Sequence, residues 1–291
     1  MIKKWILITM LTFASVAHAS NECDNQNTCT FNCAKTSKDN CTATLDKTSK
    51  TLTISGSGQM ADYNNILDDN NNFIATDAPW YDYKDSIKTL KVDKGITTVG
   101  ARAFKNIQKI ANVDLADGLL KIGDGAFNTI LALKTITIPD SVTTIGTGTF
   151  ADCRNLKDVT LSENLATIEY MAFANTGITD LLLPESVTSI SEGIVRGSID
   201  YWQKAQILNL YCNEAISSQC EAALQWRKDK GANVQVIPYQ KASNGQVFYN
   251  NKWYNSANDI LSGEYAKKRI YTVDEANKIT GKKNSVAIKY K

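Results

Sequence analysis

Few side chains in this chain are able to do chemistry, and their spacing narrows what chemistry is open. There is one histidine, His18. Lys3 and Lys4, the apolar run Trp5 to Ala14 and the triplet Ala17, His18, Ala19 have the form of a secretory signal with its cleavage site. His18 is therefore expected to leave with residues 1–19. A chain without histidine builds no Ser-His-Asp triad, no Cys-His dyad and no histidine-ligated zinc. Carboxylates remain, and a pair of them cleaves glycosides without histidine. Asp114, Asp117, Asp124 and Asp140 are the carboxylates to consider, but no further motif marks a pair among them. No catalytic residue, metal ligand set or cofactor is singled out.

The seven cysteines are the other reactive group. In an exported chain they imply disulfides with one thiol left over. Cys23, Cys29, Cys33 and Cys41 cluster near the start, at spacings of six, four and eight. A four-thiolate metal site normally has a C-x-x-C hook, which is missing here, so disulfides are favoured. Their three connectivities stay open. Cys212 and Cys220 form a second group.

Charge excludes one partner class and suggests another. Without residues 1–19, Lys+Arg falls from 32 to 30 and equals Asp+Glu at 30, so no bulk charge draws the protein to nucleic acid. The distribution is uneven. Residues 246–291 hold nine Lys or Arg against four Asp or Glu, a net +5, which leaves −5 on the rest. Such a tail suits an anionic envelope polymer or membrane surface, or is simply the solvated face of a small domain. No stretch after the signal is apolar enough to cross a bilayer.

The elements that must position these groups are set by a repeat. Phe104, Phe127, Phe150 and Phe173 recur every 23 residues. Val92, Leu115, Ile138, Leu161 and Leu183 keep the same phase, as do Ile96, Leu119, Val142, Leu165 and Val187, and then Val99, Ile122, Ile145, Ile168 and Ile190. A deletion near Thr176 shortens one unit to 22 residues. One such unit has too little apolar surface to fold alone, so neighbours must stack into a solenoid. Alternating triplets such as Ile136, Thr137, Ile138 predict short strands, two residues in and one out, stacked as a parallel inner sheet. Gly100, Gly123 and Gly146 are expected at tight return bends, and Pro139 and Pro184 at strand ends.

The register of Ile138, Ile145, Gly146, Phe150, Cys153 and Leu156, repeated over several units, resembles the BspA-type leucine-rich repeat found on microbial surfaces. The likeness covers about residues 85–215, and the stretch from Thr51 to Tyr63 with Ala78, Pro79 and Trp80 is similar to the segment that precedes such repeats. It implies a leucine-rich-repeat solenoid (horseshoe), β-rich, with short irregular or helical returns. It also implies secreted or surface proteins used in adhesion and recognition, with no catalytic residues to carry over. Cys153 takes the place of Ile107 and Ile130, which makes it the buried free thiol.

Open solenoids need caps. Residues 20–85 are expected to cap the start, with a hairpin of Thr42–Leu45 and Thr51–Ile54 and a loop at Asn64–Asn72 that leaves room for a calcium site. Ser218 and Glu221 read as a capping box opening a helix to about Lys230, with Gly231 at its end, which brings Cys220 towards Cys212. The repeats and this cap occupy 86–240. Residues 241–291 read as a small α+β tail domain with a hairpin from Gln246 to Tyr254, strands at Arg269–Val273 and Ser285–Tyr290, and a second capping box at Thr272 and Glu275.

The leading expectation is a binding protein outside the cytoplasm. Its ligand, a protein or a surface glycan, would meet the row Lys91, Asp114, Thr137, Thr160 and Leu182 on the inner sheet. Two alternatives remain: a structural envelope component assembled through the tail, and a polysaccharide-active enzyme using carboxylates. Secretion, cell surface and periplasm are all compatible with the signal.

Overall fold

A computed structural model describes Cys23 and residues 26–196, 209–232, 234–241, 247–249 and 252–254. The expected signal and the module from Asn255 onward, including its basic runs, its strand at Arg269–Val273 and its second capping box, lie outside the described residues.

The chain opens with three antiparallel strands, β1 (Thr28–Asn32), β2 (Asn40–Asp46) and β3 (Thr51–Gln59). The β2–β3 turn is held by Asp46, whose carboxylate accepts from the Thr48 and Ser49 N–H groups. The segment 64–72, read from the sequence as a loop, is mostly hairpin: β4 (Asn65–Leu67) pairs with β5 (Phe73–Thr76). Asp68 shapes its tip by accepting from the N–H groups of Asn70 and Asn72.

Each coil then contributes two short strands. They are β6 (Thr89–Val92) and β7 (Ile96–Val99), β8 (Asn112–Leu115) and β9 (Lys121–Ile122), β10 (Thr135–Thr137) and β11 (Thr144–Ile145), β12 (Asp158–Thr160) and β13 (Thr167–Ile168), and β14 (Asp180–Leu182) and β15 (Ser189–Ile190). The chain goes on through β16 (Asn209–Asn213), helix α1 (Ser217–Asp229), β17 (Gln235–Lys241), β18 (Val247–Tyr249) and β19 (Lys252–Tyr254). All pairings between coils are parallel, as the sequence period requires.

The expected parallel stacking forms along the front face, and a second ladder stacks along the back. The back ladder runs unbroken from β3 through β7, β9, β11, β13 and β15. The front falls into three ladders, β3–β6–β8, β10–β12 and β14–β16–β17. Glycines let the back strands β7, β9 and β11 approach closely, while β13 and β15 stack on them ahead of Glu169 and Ser191. A Cβ on Gly123 would sit 2.7 Å from Ala101 N and 2.8 Å from Val99 O, and one on Gly146 would sit 2.9 Å from Asp124 N. These glycines follow the back strands directly and let successive coils touch backbone to backbone there. No such column follows the front strands, where β6–β8 and β10–β12 pair and β8 and β10 do not. Gly100, Gly123 and Gly146 therefore serve close approach; the left-handed bends fall instead on Arg102, Gly125, Gly148, Met171 and Gly193, and on Asn106, Thr129, Asp152 and Asn175.

The core is a column. Trp80, Phe104, Phe127, Phe150 and Phe173 stack with ring centroids 5.4–5.8 Å apart, and all five are buried. Around each ring the backbone is bonded to the next coil, as where Phe104 N–H donates to Ala126 O and Phe127 N–H to Thr149 O. Thr149 stands where other coils have alanine, and it is fully buried. Its hydroxyl is satisfied by the carbonyls of Gly123 and Gly146 at 3.1 and 2.8 Å.

Both ends are closed. At the start Trp80 extends the ring column and donates its Nε1–H to Ala103 O at 2.8 Å. At the far end α1 packs over the last coil, and Arg227 donates from Nε to Val195 O at 2.6 Å. The expected capping box at Ser218 and Glu221 is not what starts α1. The chain comes into the helix from a 3-10 turn at Glu214–Ile216, whose Ala215 N–H donates to the Asn213 side chain. Gly231 ends the helix in the left-handed region, φ +76°.

Candidate binding site

Along the front strands alternate side chains point away from the core, and the register aligns them into columns. Lys91 stands opposite Asp114, Thr137 opposite Thr160, and Leu182 opposite Tyr211. Lys91, Asp114, Thr137 and Thr160 are exposed. Leu182 is not: it is 6 % exposed, beside a Tyr211 that is 7 % exposed. The expected five-residue row is thus corrected at its end, where the outward column turns apolar and buried.

Polar ties tighten this end further. Asn209 Nδ2 donates to Asp180 Oδ1 at 2.7 Å, Gln235 Nε2 donates to Asn209 Oδ1 at 2.7 Å, and the Tyr211 hydroxyl donates to Asp180 at 3.3 Å. Tyr239 reaches across to donate its hydroxyl to Leu183 O at 2.6 Å. Burial, then the charges of Glu185 and Glu163, hold that phenol above its usual range.

Between Lys91 and Leu182 lies a groove of about 660 Å³. It is centred on the gap between β8 and β10, where no backbone hydrogen bond joins the two strands among the described residues. Asn112 and Ala116 direct their N–H groups back to the previous coil, and Ile138 directs its own onward to Thr160. By the alternation of a parallel ladder, Val113 and Leu115 on one side and Thr135 and Thr137 on the other turn their backbone groups into the gap. Three of the five expected row residues, Asp114, Thr137 and Thr160, line it.

Asp117, Asp140 and Glu163 line it as well, one from each of three successive coils. Their spacing of 23 residues is visible in the sequence, and searching the period for charged as well as apolar columns would have found them. Asp140 accepts from Glu163 N–H at 2.8 Å, which fixes one carboxylate above the next coil. Asp124, the other carboxylate weighed from the sequence, serves a different side, where it accepts from Thr147 N–H.

The cysteines are placed at the ends and in the core. Cys23 pairs with Cys29, Cys33 with Cys41 and Cys212 with Cys220. Cys153 is a free, fully buried thiol whose Sγ donates to Phe127 O at 3.0 Å. Burial pushes its pKa up to about 12, far from a nucleophile's range. Among the described residues no three side chains are grouped as metal ligands, and no helix is long and apolar enough to cross a membrane.

Comparison with known proteins places the coils in a family. Residues 78–200 match the BspA type Leucine rich repeat region in six copies. Among curated proteins there is no match. Among solved structures, the chain is similar to the pneumococcal vaccine antigen PcpA, with 17% identity, 57% of this chain and 48% of that one covered, and a TM-score of 0.37. It is similar to a leucine-rich repeat protein from Eubacterium ventriosum (19% identity, 73% and 68% covered, TM-score 0.34). A leucine rich cell surface protein from Faecalibacterium prausnitzii gives 19% identity, 76% and 60% covered, and a TM-score of 0.34. The chain spans about half the length of the pneumococcal antigen. The matched stretch coincides with the stacked coils and their phenylalanine column, so residues 78–200 carry BspA-type leucine-rich repeats.

Proposed function

We propose that the protein is an exported recognition module, not a catalyst, and that it binds a protein or other extracellular ligand through its front face. The observation that carries this reading is the groove between β8 and β10. It exposes hydroxyls, carboxylates and strand edges, and an open strand edge is a ready template for pairing with another chain. Extended repeat surfaces bind by many modest contacts, which suits a groove crossing several coils. Export is supported by the signal-like residues 1–19 and by three disulfides, which persist in oxidising compartments. The surface or secreted setting usual for this repeat type agrees with that.

A photo-crosslinking side chain placed at Thr137 or Thr160, compared with one at Thr144 on the back ladder, tests the face. Adducts from the two front positions and none from Thr144 are expected when the protein is displayed in its native setting. Equal adducts from both faces, or adducts from the back alone, would remove the front groove as the binding site.

A further inference from the structure

The chemistry of the groove is one-sided. Asp114, Asp117, Asp140 and Glu163 line it, with Thr135, Thr137 and Thr160 between them, and no Lys or Arg does. None of the ion pairs among the described residues involves Asp114, Asp117 or Asp140. The carboxylates accept only, and the strand edges at the gap add both N–H donors and carbonyl acceptors that the ladder leaves unused and that an extended backbone can meet. The walls between them are apolar, from Leu115, Ile138 and Leu161.

A group that fits the carboxylates carries several N–H donors and a positive charge at the end of an apolar stem. Arginine and lysine side chains have that form. Glu163 stands one coil beyond Asp140, and Asp140 one beyond Asp117, so the charges repeat once per coil along the groove. Lys91 bounds the row at one end, and the buried pair Leu182 and Tyr211 bounds it at the other. The lining therefore matches a short stretch of chain and not a single ion.

We infer that the front groove is a docking surface for an extended, arginine- or lysine-bearing segment of a partner polypeptide. This deepens the recognition reading and rests on it. The basic side chains lie with their stems against Leu115, Ile138 and Leu161 and their charged ends among Asp114, Asp117 and Glu163. Asp140, tied to the Glu163 N–H, orients the row.

The test uses the full chain and three labelled peptides followed by fluorescence anisotropy: arginine alternating with threonine, glutamate with threonine, and serine with threonine. The arginine peptide alone is expected to bind, and to weaken as ionic strength rises from about 0.01 to about 1 M, over which screening shortens from roughly 30 to 3 Å. The double variant Asp117→Asn with Glu163→Gln is expected to lose about tenfold or more in affinity. Asp114→Asn, read separately, should weaken binding in the same direction while thermal unfolding stays unchanged. Arginine-peptide binding that ignores both variants overturns the proposal. So does preference for the serine or glutamate peptide, or an equal response to an oligosaccharide of glucosamine. Self-association at low salt that the variants abolish would put the chain's own basic C-terminal segment in the groove and overturn the partner assignment. If no peptide binds while Thr137 still crosslinks, the charge inference fails and the binding face stands. If neither occurs, both fail.

Discussion

At the scale of single residues, burial decides which reactive groups are available. Cys153 has the identity of a nucleophile and the surroundings of an isoleucine. A thiol reagent should leave it unmodified in the folded protein at pH 8.5, since a pKa of about 12 keeps it protonated, and should modify it in denaturant. Stoichiometric labelling of the native protein would show that the coil opens. Its buried state was legible, because Cys153 replaces Ile107 and Ile130 in a strict period. Leu182 shows where such reading stops. Its outward position followed from alternation, but its burial depends on Tyr211, a residue from beyond the shortened coil that no local pattern aligns with it.

At the scale of elements, the strands were legible and their grouping was not. The triplets around Asp114, Thr137 and Thr160 fixed the front strands, and the apolar period fixed their inward faces. The glycines after β7, β9 and β11 allow close approach there, but the period alone does not say which neighbouring strands will pair. Gly123→Ala places a Cβ within 2.7 Å of the neighbouring backbone and should destabilise by about 1–3 kcal/mol, read by chemical denaturation. Gly125→Asn, at φ +60° with its nearest neighbour 3.7 Å away, should change stability by less than about 0.5 kcal/mol, because asparagine tolerates that conformation. A reversed order would mean that the bend, and not close approach, is why glycine stands there. Helix α1 teaches the same lesson on a smaller scale. Its span was readable, but its start belongs to Asn213, which caps the 3-10 turn before it.

At the scale of the whole molecule, stability is shared along the ring column. Phe127 stacks on the rings of the coils above and below it, so its loss separates the coils on either side. Phe127→Ala, with rings stacked at 5.6 and 5.4 Å on its two sides, should cost about 3–5 kcal/mol and broaden the unfolding transition. An unchanged midpoint would mean that the coils do not depend on one another. The phenylalanines themselves were plain from the sequence. Trp80 as the first member of the column was not, although it lies 24 residues before Phe104, one residue out of step.

The three covalent links sit only at the two extremities: Cys23 ahead of β1 to Cys29 within it, Cys33 just after β1 to Cys41 in β2, and Cys212 in β16 to Cys220 in α1. The coils between them hold by contact alone. A reducing environment would therefore act on this protein as it does on a rope whose whipped ends are cut: the middle is sound at first, and fraying travels inward from both tips. Hydrogen exchange followed after adding a reductant should show the outermost coils losing protection before the coil of Phe127.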